Sequence, residues 1–244
     1  MSAESLLRAE LHGCRQTVKR LRYIAVSIAV FAGSLTAAEK ATVISSSGVM
    51  ENGAATAWAP ESTSRGVLIH SRLRNGSPLK EFRAVGVIDA LPGTVFAVLD
   101  DTDTYPRFMP YTSECRVLKR EKDWVLAYQR LELPLVSDRD YTLRTRHDSW
   151  SGPDGPIYRM RWEPANDLGP AVRPGVLRVN MCEGGWLLEP DGAASTRATY
   201  LIYTDSGGAI PPLIANNGSR VAIRKIFEAI RKQVKDPKYA AARN

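Results

Sequence analysis

Residues 134–147, "PLVSDRDYTLRTRH", put Ser137, Asp138, Arg139, Asp140 and Tyr141 straight after an apolar stretch, then add Arg144, Arg146 and His147. Carboxylates, guanidiniums and an imidazole at this density suit proton transfer, anion binding or ion pairing within a fold. In an extended segment side chains alternate, so Arg144 and Arg146 share one face while Tyr141, Leu143 and Thr145 share the other. Chemistry-bearing residues are sparse elsewhere. The histidines are His12, His70 and His147, and no His/Cys/carboxylate cluster has metal-ligand spacing, so neither metal nor cofactor is expected. No Ser–His–Asp order and no glycine-rich phosphate loop stand out, so no catalytic residue is assigned and a non-enzyme is expected. His147, next to Asp148, reads as a surface residue. Cys115 and Cys182 read as free, inert thiols.

The elements that carry these residues follow from periodicity. Residues 67–73 and 81–88 alternate like strands around "RNGSP", a hairpin turn. "DALPGTVFAVLDDTDTYPRFMP" reads as helix, capped by Asp89 and ending in a short turn. Strands are expected at 113–120, 124–133, 139–147, 158–162, 176–183 and 196–204, separated by "REKD", "SGPDGP" and "EPDGAAS". Tyr158, Met160 and Trp162 alternate with Arg159 and Arg161. Leu177, Val179 and Met181 alternate with Arg178 and Asn180, so one face is apolar and the arginines read as a solvated outer face. Residues 163–175 form the longest irregular stretch, and Trp186 in "GGWLLEP" reads as turn packing. A C-terminal helix is expected over 212–235, with Ile214, Val221, Ile226, Phe227 and Ile230 near helical spacing and "NNG" as a soft spot.

The chain of 244 residues is 44% apolar and 24% charged, with net charge +7. That suits one globular domain with a sizeable core. Residues 1–38 contribute +3 of the charge, from Arg8, Arg15, Lys19, Arg20 and Arg22 against Glu4 and Glu10. The remainder is unexceptional, and no nucleic-acid motif is present, so no nucleic-acid partner is expected. The same 38 residues hold a basic flank, an apolar run from Tyr23 to Phe31 and small residues around Thr36 and Ala38. This is a secretory leader pattern, with an uncleaved inner-membrane anchor as the alternative. Export to the periplasm or envelope is therefore expected. Residues 39–56 read as a flexible linker, 57–236 as the folded domain and 237–244 as a tail.

"FRAVGVIDALPGTVFAVLDD", "YPRFMP", "LPLVSDRDYTLR", "GGWLLEPDGAASTRATYLIYTDSGGAIPPLIAN" and the final helix together resemble a START domain, the steroidogenic-acute-regulatory-related lipid-transfer family. The resemblance implies an α+β helix-grip fold: a curved antiparallel sheet wrapped around a long C-terminal helix, enclosing an apolar tunnel. It implies a monomer that carries one lipid (a sterol, a phospholipid or a fatty-acyl type), with the C-terminal helix and the 163–175 loop as lid. Transient contact of the helix's basic side with an anionic membrane fits that role. On the same resemblance Ser137–Tyr141 is a strand entry, where Asp138 and Asp140 make turn hydrogen bonds or pair with Arg139. Glu114 matches the acidic member of a buried carboxylate–arginine pair, with Arg144 or Arg146 as its partner. The expected lining is Tyr158, Met160, Trp162, Leu177, Val179, Met181, Tyr200 and Ile202, with Ile214 and Val221 from the helix. Two other readings belong to the wider superfamily. One is a polyketide cyclase or aromatase, with Arg144, Tyr158 or Tyr200 polarising carbonyls. The other is a quinone-binding chaperone.

Overall fold

The structure, a computed structural model, describes residues 56–243 apart from Leu135 and Ala209. The expected leader, and the linker up to residue 55, lie outside the described residues. The strands are β1 (Ala59–Ser64), β2 (Val67–Leu73), β3 (Lys80–Ile88), β4 (Thr112–Arg120), β5 (Trp124–Leu131), β6 (Arg139–Gly152), β7 (Gly155–Pro164), β8 (Leu177–Arg178), β9 (Met181–Pro190) and β10 (Thr196–Asp205). The helices are α1 (Pro92–Asp100), α2 (Tyr105–Phe108) and α3 (Pro212–Gln233). Apart from β8, the strands pair antiparallel in the order β1-β2-β3-β10-β9-β7-β6-β5-β4; β8 pairs parallel to the start of β6.

Alternating residues turn one face of this sheet toward α1 and α3. Ile69, Phe82, Ala84, Ile88, Leu188 and Ala198 meet Val95, Val98 and Leu99 of α1 and Ile223, Phe227 and Ile230 of α3. Burying such side chains contributes roughly 1.5–3 kcal/mol each. Phe227 is fully buried and packs edge-on to Trp186 at 5.3 Å. It also lies over Gly86, where a Cβ would stand 2.9 Å from its ring, so only glycine lets α3 settle this close to β3. The core therefore fills one half of the fold, under the C-terminal half of α3.

Several elements differ from expectation. The strand β1 was not expected: "APESTS" has no apolar alternation because it is an edge strand with little buried surface. It joins β2 through Arg65–Gly66, both at positive φ, the geometry of a tight two-residue hairpin. Asp89 does not cap α1, which starts at Pro92 after Leu91. The expected strand at 176–183 is the two-residue β8, and the long strand begins at Met181 and runs through "GGWLLEP". Trp186 is thus a core strand residue, 4% exposed. Arg178 does not belong to a solvated face; it forms a salt bridge at 2.6 Å with the fully buried Asp140. The expected tail is part of the fold, because buried Tyr239 donates to Asp101 at 2.8 Å from a 3-10 helix, Pro237–Arg243.

Candidate functional site: a cavity beneath the last helix

Beside the packed half of the fold lies a cavity of about 510 Å³. Its walls come from the inward faces of β5, β6, β7, β9 and β10, with α1 at one end and α3 as cover. Odd-numbered residues of β6 face in: Arg139, Tyr141, Leu143, Thr145 and His147 all line it. Eight residues of strand separate the first from the last, roughly 26 Å of chain path. The lining residues that are themselves exposed, Pro134, Val136, Ile214, Gly218 and Val221, belong to two segments, 134–136 and 214–221. These segments mark the mouth.

Of the expected lining residues, Met160, Trp162, Val179, Tyr200, Ile202, Ile214 and Val221 border this cavity. Tyr158, Leu177 and Met181 do not. Tyr158 stacks on Phe96 of α1, ring centroids 5.0 Å apart. Leu177 packs against Gly207 and Gly208, and Met181 is 39% exposed at the start of β9.

The expected buried pair of Glu114 with Arg144 or Arg146 does not form. Glu114 bonds Arg173 at 2.9 Å and Arg116 at 2.8 Å, away from the cavity. Burial raises the Glu114 carboxyl, but the Arg173 hydrogen bond and charge outweigh it, leaving it below its ordinary range. Arg144 and Arg146 occupy the outward positions of β6. Arg144 lies over the Trp124 ring at 5.4 Å, and Arg146 reaches Glu163 at 3.7 Å with most of its side chain exposed. The parity read from the sequence is correct, and the cavity takes the Tyr141–Leu143–Thr145 face.

The 163–175 loop does not border the cavity either. Asn166 accepts from the Thr142 amide and donates to the Val179 carbonyl, both at 2.8 Å, while Arg173 is held by Glu114. The loop is stapled to the outer side of β6, so of the two expected lid elements only α3 borders the cavity.

Polar groups are few inside and mostly committed. Tyr105 donates to the Leu99 carbonyl at 2.6 Å, and Tyr141 to Gln129 at 3.1 Å. Burial pushes both phenols well above their ordinary range. At the α1 end, His147 Nε2 lies 3.4 Å from Asp100 Oδ1, and Asp100 Oδ2 accepts from Arg120 at 2.7 Å. The His147 side chain is 12% exposed, which corrects the surface reading. Burial lowers the imidazole below its ordinary value, outweighing the opposing pull of Asp100, and the Arg120 charge lowers it further. Cys182 lines the cavity and Cys115 packs nearby in the sheet; both are free, and burial pushes each thiol up to about 12. Among the described residues no group of three His, Cys, Asp or Glu could hold a metal ion.

The lining that sequence reasoning missed includes Val125 and Gln129 of β5, Leu143 and His147 of β6, Leu99 of α1 and further residues of α3 such as Ala222. Inward parity on β6 was the available signal. The α1 contribution had none, since it depends on where the helix docks.

A curved antiparallel sheet closed by a long C-terminal helix over an internal cavity defines the helix-grip class. Residues 88–231, more than half of the chain, match the family profile described as polyketide cyclase / dehydrase and lipid transport, and the chain belongs to that family. It is also similar to an uncharacterized protein of Pseudomonas aeruginosa, 28% identical over 171 residues, covering 70% of this chain and 83% of the relative. Among solved structures it is similar to the STAR-related lipid transfer protein of Xanthomonas axonopodis, with TM-score 0.66 and 28% identity over 73% of this chain and 99% of the other. The human StAR-related lipid transfer protein 5 shares the fold at TM-score 0.62 and 16% identity, covering 73% of this chain and 86% of that one.

Proposed function

We propose that the protein binds one lipid-like amphiphile in the cavity and carries or presents it across an aqueous compartment. The observation that carries this reading is the cavity itself. Its volume of about 510 Å³ falls within the range of small-molecule sites, and its wall is largely apolar. Each CH₂ sheltered from water there is worth about 0.8 kcal/mol.

The cover is the N-terminal half of α3. Its C-terminal half is anchored by Ile223, Phe227 and Ile230. The N-terminal half exposes Leu213 and Ile214 and is tied by polar bonds. Arg220 donates to Glu61 at 2.7 Å and the Lys80 amide to Asn216 at 3.1 Å; Lys225, just into the C-terminal half, donates to the Tyr111 hydroxyl at 2.8 Å. Asn216, Asn217 and Gly218 are weak helix formers at this point. Cargo exchange then needs these two polar contacts of the N-terminal half to open, with the core intact. Exposed Leu213 and Ile214 beside Arg220, Arg224 and Lys225 suit a brief meeting with an anionic membrane. The leader pattern of residues 1–38 supports an exported protein of the envelope, with an inner-membrane anchor as its alternative form. A cyclase reading draws less support. It assigns carbonyl polarisation to Arg144, Tyr158 or Tyr200, and the first two lie outside the cavity wall.

Native mass spectrometry of the protein from its own host, followed by organic extraction, tests the proposal. The expected result is a co-purifying amphiphile, one per chain. Protein that carries none, and then takes up no sterol, phospholipid or fatty acid, would overturn it.

A further inference from the structure

Arg139, the first residue of β6, lines the cavity and is 4% exposed. Its Nη1 donates to the Ser137 carbonyl. Among the described residues its Nε is fully buried without a partner, and its Nη2 lies beside Gly208. The carboxylates flanking it in the chain are committed elsewhere: Asp138 to Arg130, and Asp140 to Arg178 and Tyr128. Guanidinium groups stay charged in proteins, and a buried charge is costly unless it is paired. A buried arginine with an unpartnered donor nitrogen, lining an apolar cavity, lacks its counter-charge.

We infer that the counter-charge is brought by the ligand, an amphiphile whose head is a carboxylate or phosphate oxyanion that Arg139 binds. This deepens the reading of the cavity as an amphiphile site and rests on it. The planar guanidinium fork matches such oxyanions. The rest of the lining fixes the orientation. Asp100 stands at the other end of the same wall, beside His147, and repels an anion. The head therefore sits at the Arg139 end, near Gly208 and Leu131, and the tail runs along Tyr141, Leu143 and Thr145 toward α1. An uncharged alcohol of the same chain length fills the same apolar volume but leaves the guanidinium unpaired.

The test is calorimetric titration of the delipidated full chain with tetradecanoic acid, tetradecyl phosphate and tetradecanol. At least one of the two anions is expected to bind ~10-fold or more tightly than the alcohol, the ratio that about 1.4 kcal/mol supplies. A preference for the acid points to a fatty-acyl head, and one for the phosphate to a phospho-head. Arg139→Lys keeps the preference, and Arg139→Met abolishes it while alcohol binding persists. Equal binding of all three by the unaltered protein overturns the inference and leaves the amphiphile reading standing. Binding of none overturns both. The comparison on the unaltered protein decides the question even where a variant fails to fold.

Discussion

Truncation of one α3 residue from each half of the helix separates anchor from cover. Phe227 is fully buried, lies on the bare backbone at Gly86 and meets Trp186 edge-on. A buried Phe→Ala change costs about 3–5 kcal/mol, and an aromatic pair adds about 0.5–1.5 kcal/mol beyond its area. The site cannot collapse readily, because its floor is the β3 backbone and not a side chain that can move. Phe227→Ala should therefore lose about 4 kcal/mol. For a folded unit of this size that lowers Tm by roughly 8–16 °C. Leu213, on the same helix but 72% exposed, should lose no more than about 0.5 kcal/mol on the same change. Urea unfolding of the ligand-free variants, with m unchanged, measures both. A Phe227→Ala loss below about 1.5 kcal/mol, or equal losses at the two positions, would refute the division of α3 into a packed half and a loosely held one.

Three more outcomes are expected. Arg220→Ala removes a tie between α3 and β1, so exchange of a fluorescent fatty acid should quicken several-fold, while stability falls by less than about 1 kcal/mol; unchanged exchange argues against opening at this end. His147 is depressed by burial and by Arg120, against the pull of Asp100, Asp123 and Asp148. The folded chain then binds fewer protons here than the unfolded one, so this contribution is present above the unfolded value near ~6.5 and lost as pH falls below it. Urea midpoints between roughly pH 7 and 5 should show that slope shrinking in His147→Gln, and an identical slope would remove His147 as its source. Cys115 and Cys182, pushed up to about 12 by burial, should resist a disulfide reagent at pH 8 in the folded protein and react once unfolded; rapid labelling of either in the native state would contradict their burial.

Strands with one wet face announced themselves, and β2, β3, β5, β6, β7 and β10 fall close to where alternation placed them. The misreadings share a cause: alternation reports a face, not what covers it. Leu177, Val179 and Met181 alternate as a strand should, yet the chain there makes only two ladder residues before β9 begins. The glycine pair at 184–185 imitates a turn inside a long strand. Tyr158 and Met160 have the same parity, but α1 docks over one and leaves the other on the cavity. Glu114 finds its partner in Arg173, on a loop whose path no local pattern encodes. Arg139 is the instructive case. Its place at a strand entry was legible, but its missing carboxylate appears only when the flanking acids Asp138 and Asp140 are traced to Arg130 and Arg178.

Glu61 has a consequence beyond stability. It accepts from Ser71 and Lys80 as well as Arg220, and the Lys80 and Ser71 hydrogen bonds hold its carboxyl below the ordinary range. The catch for α3 is thus mounted on the first and outermost strand of the sheet, directly after the N-terminal segment. An edge strand is paired on one side only and is drawn from the least stable part of a fold. Tension applied through the N-terminus, by a tether or an optical trap, would peel β1 before it disturbed the core, and losing β1 removes Glu61 from Arg220. A pull on β1 is therefore expected to loosen the N-terminal half of α3 before the core gives way.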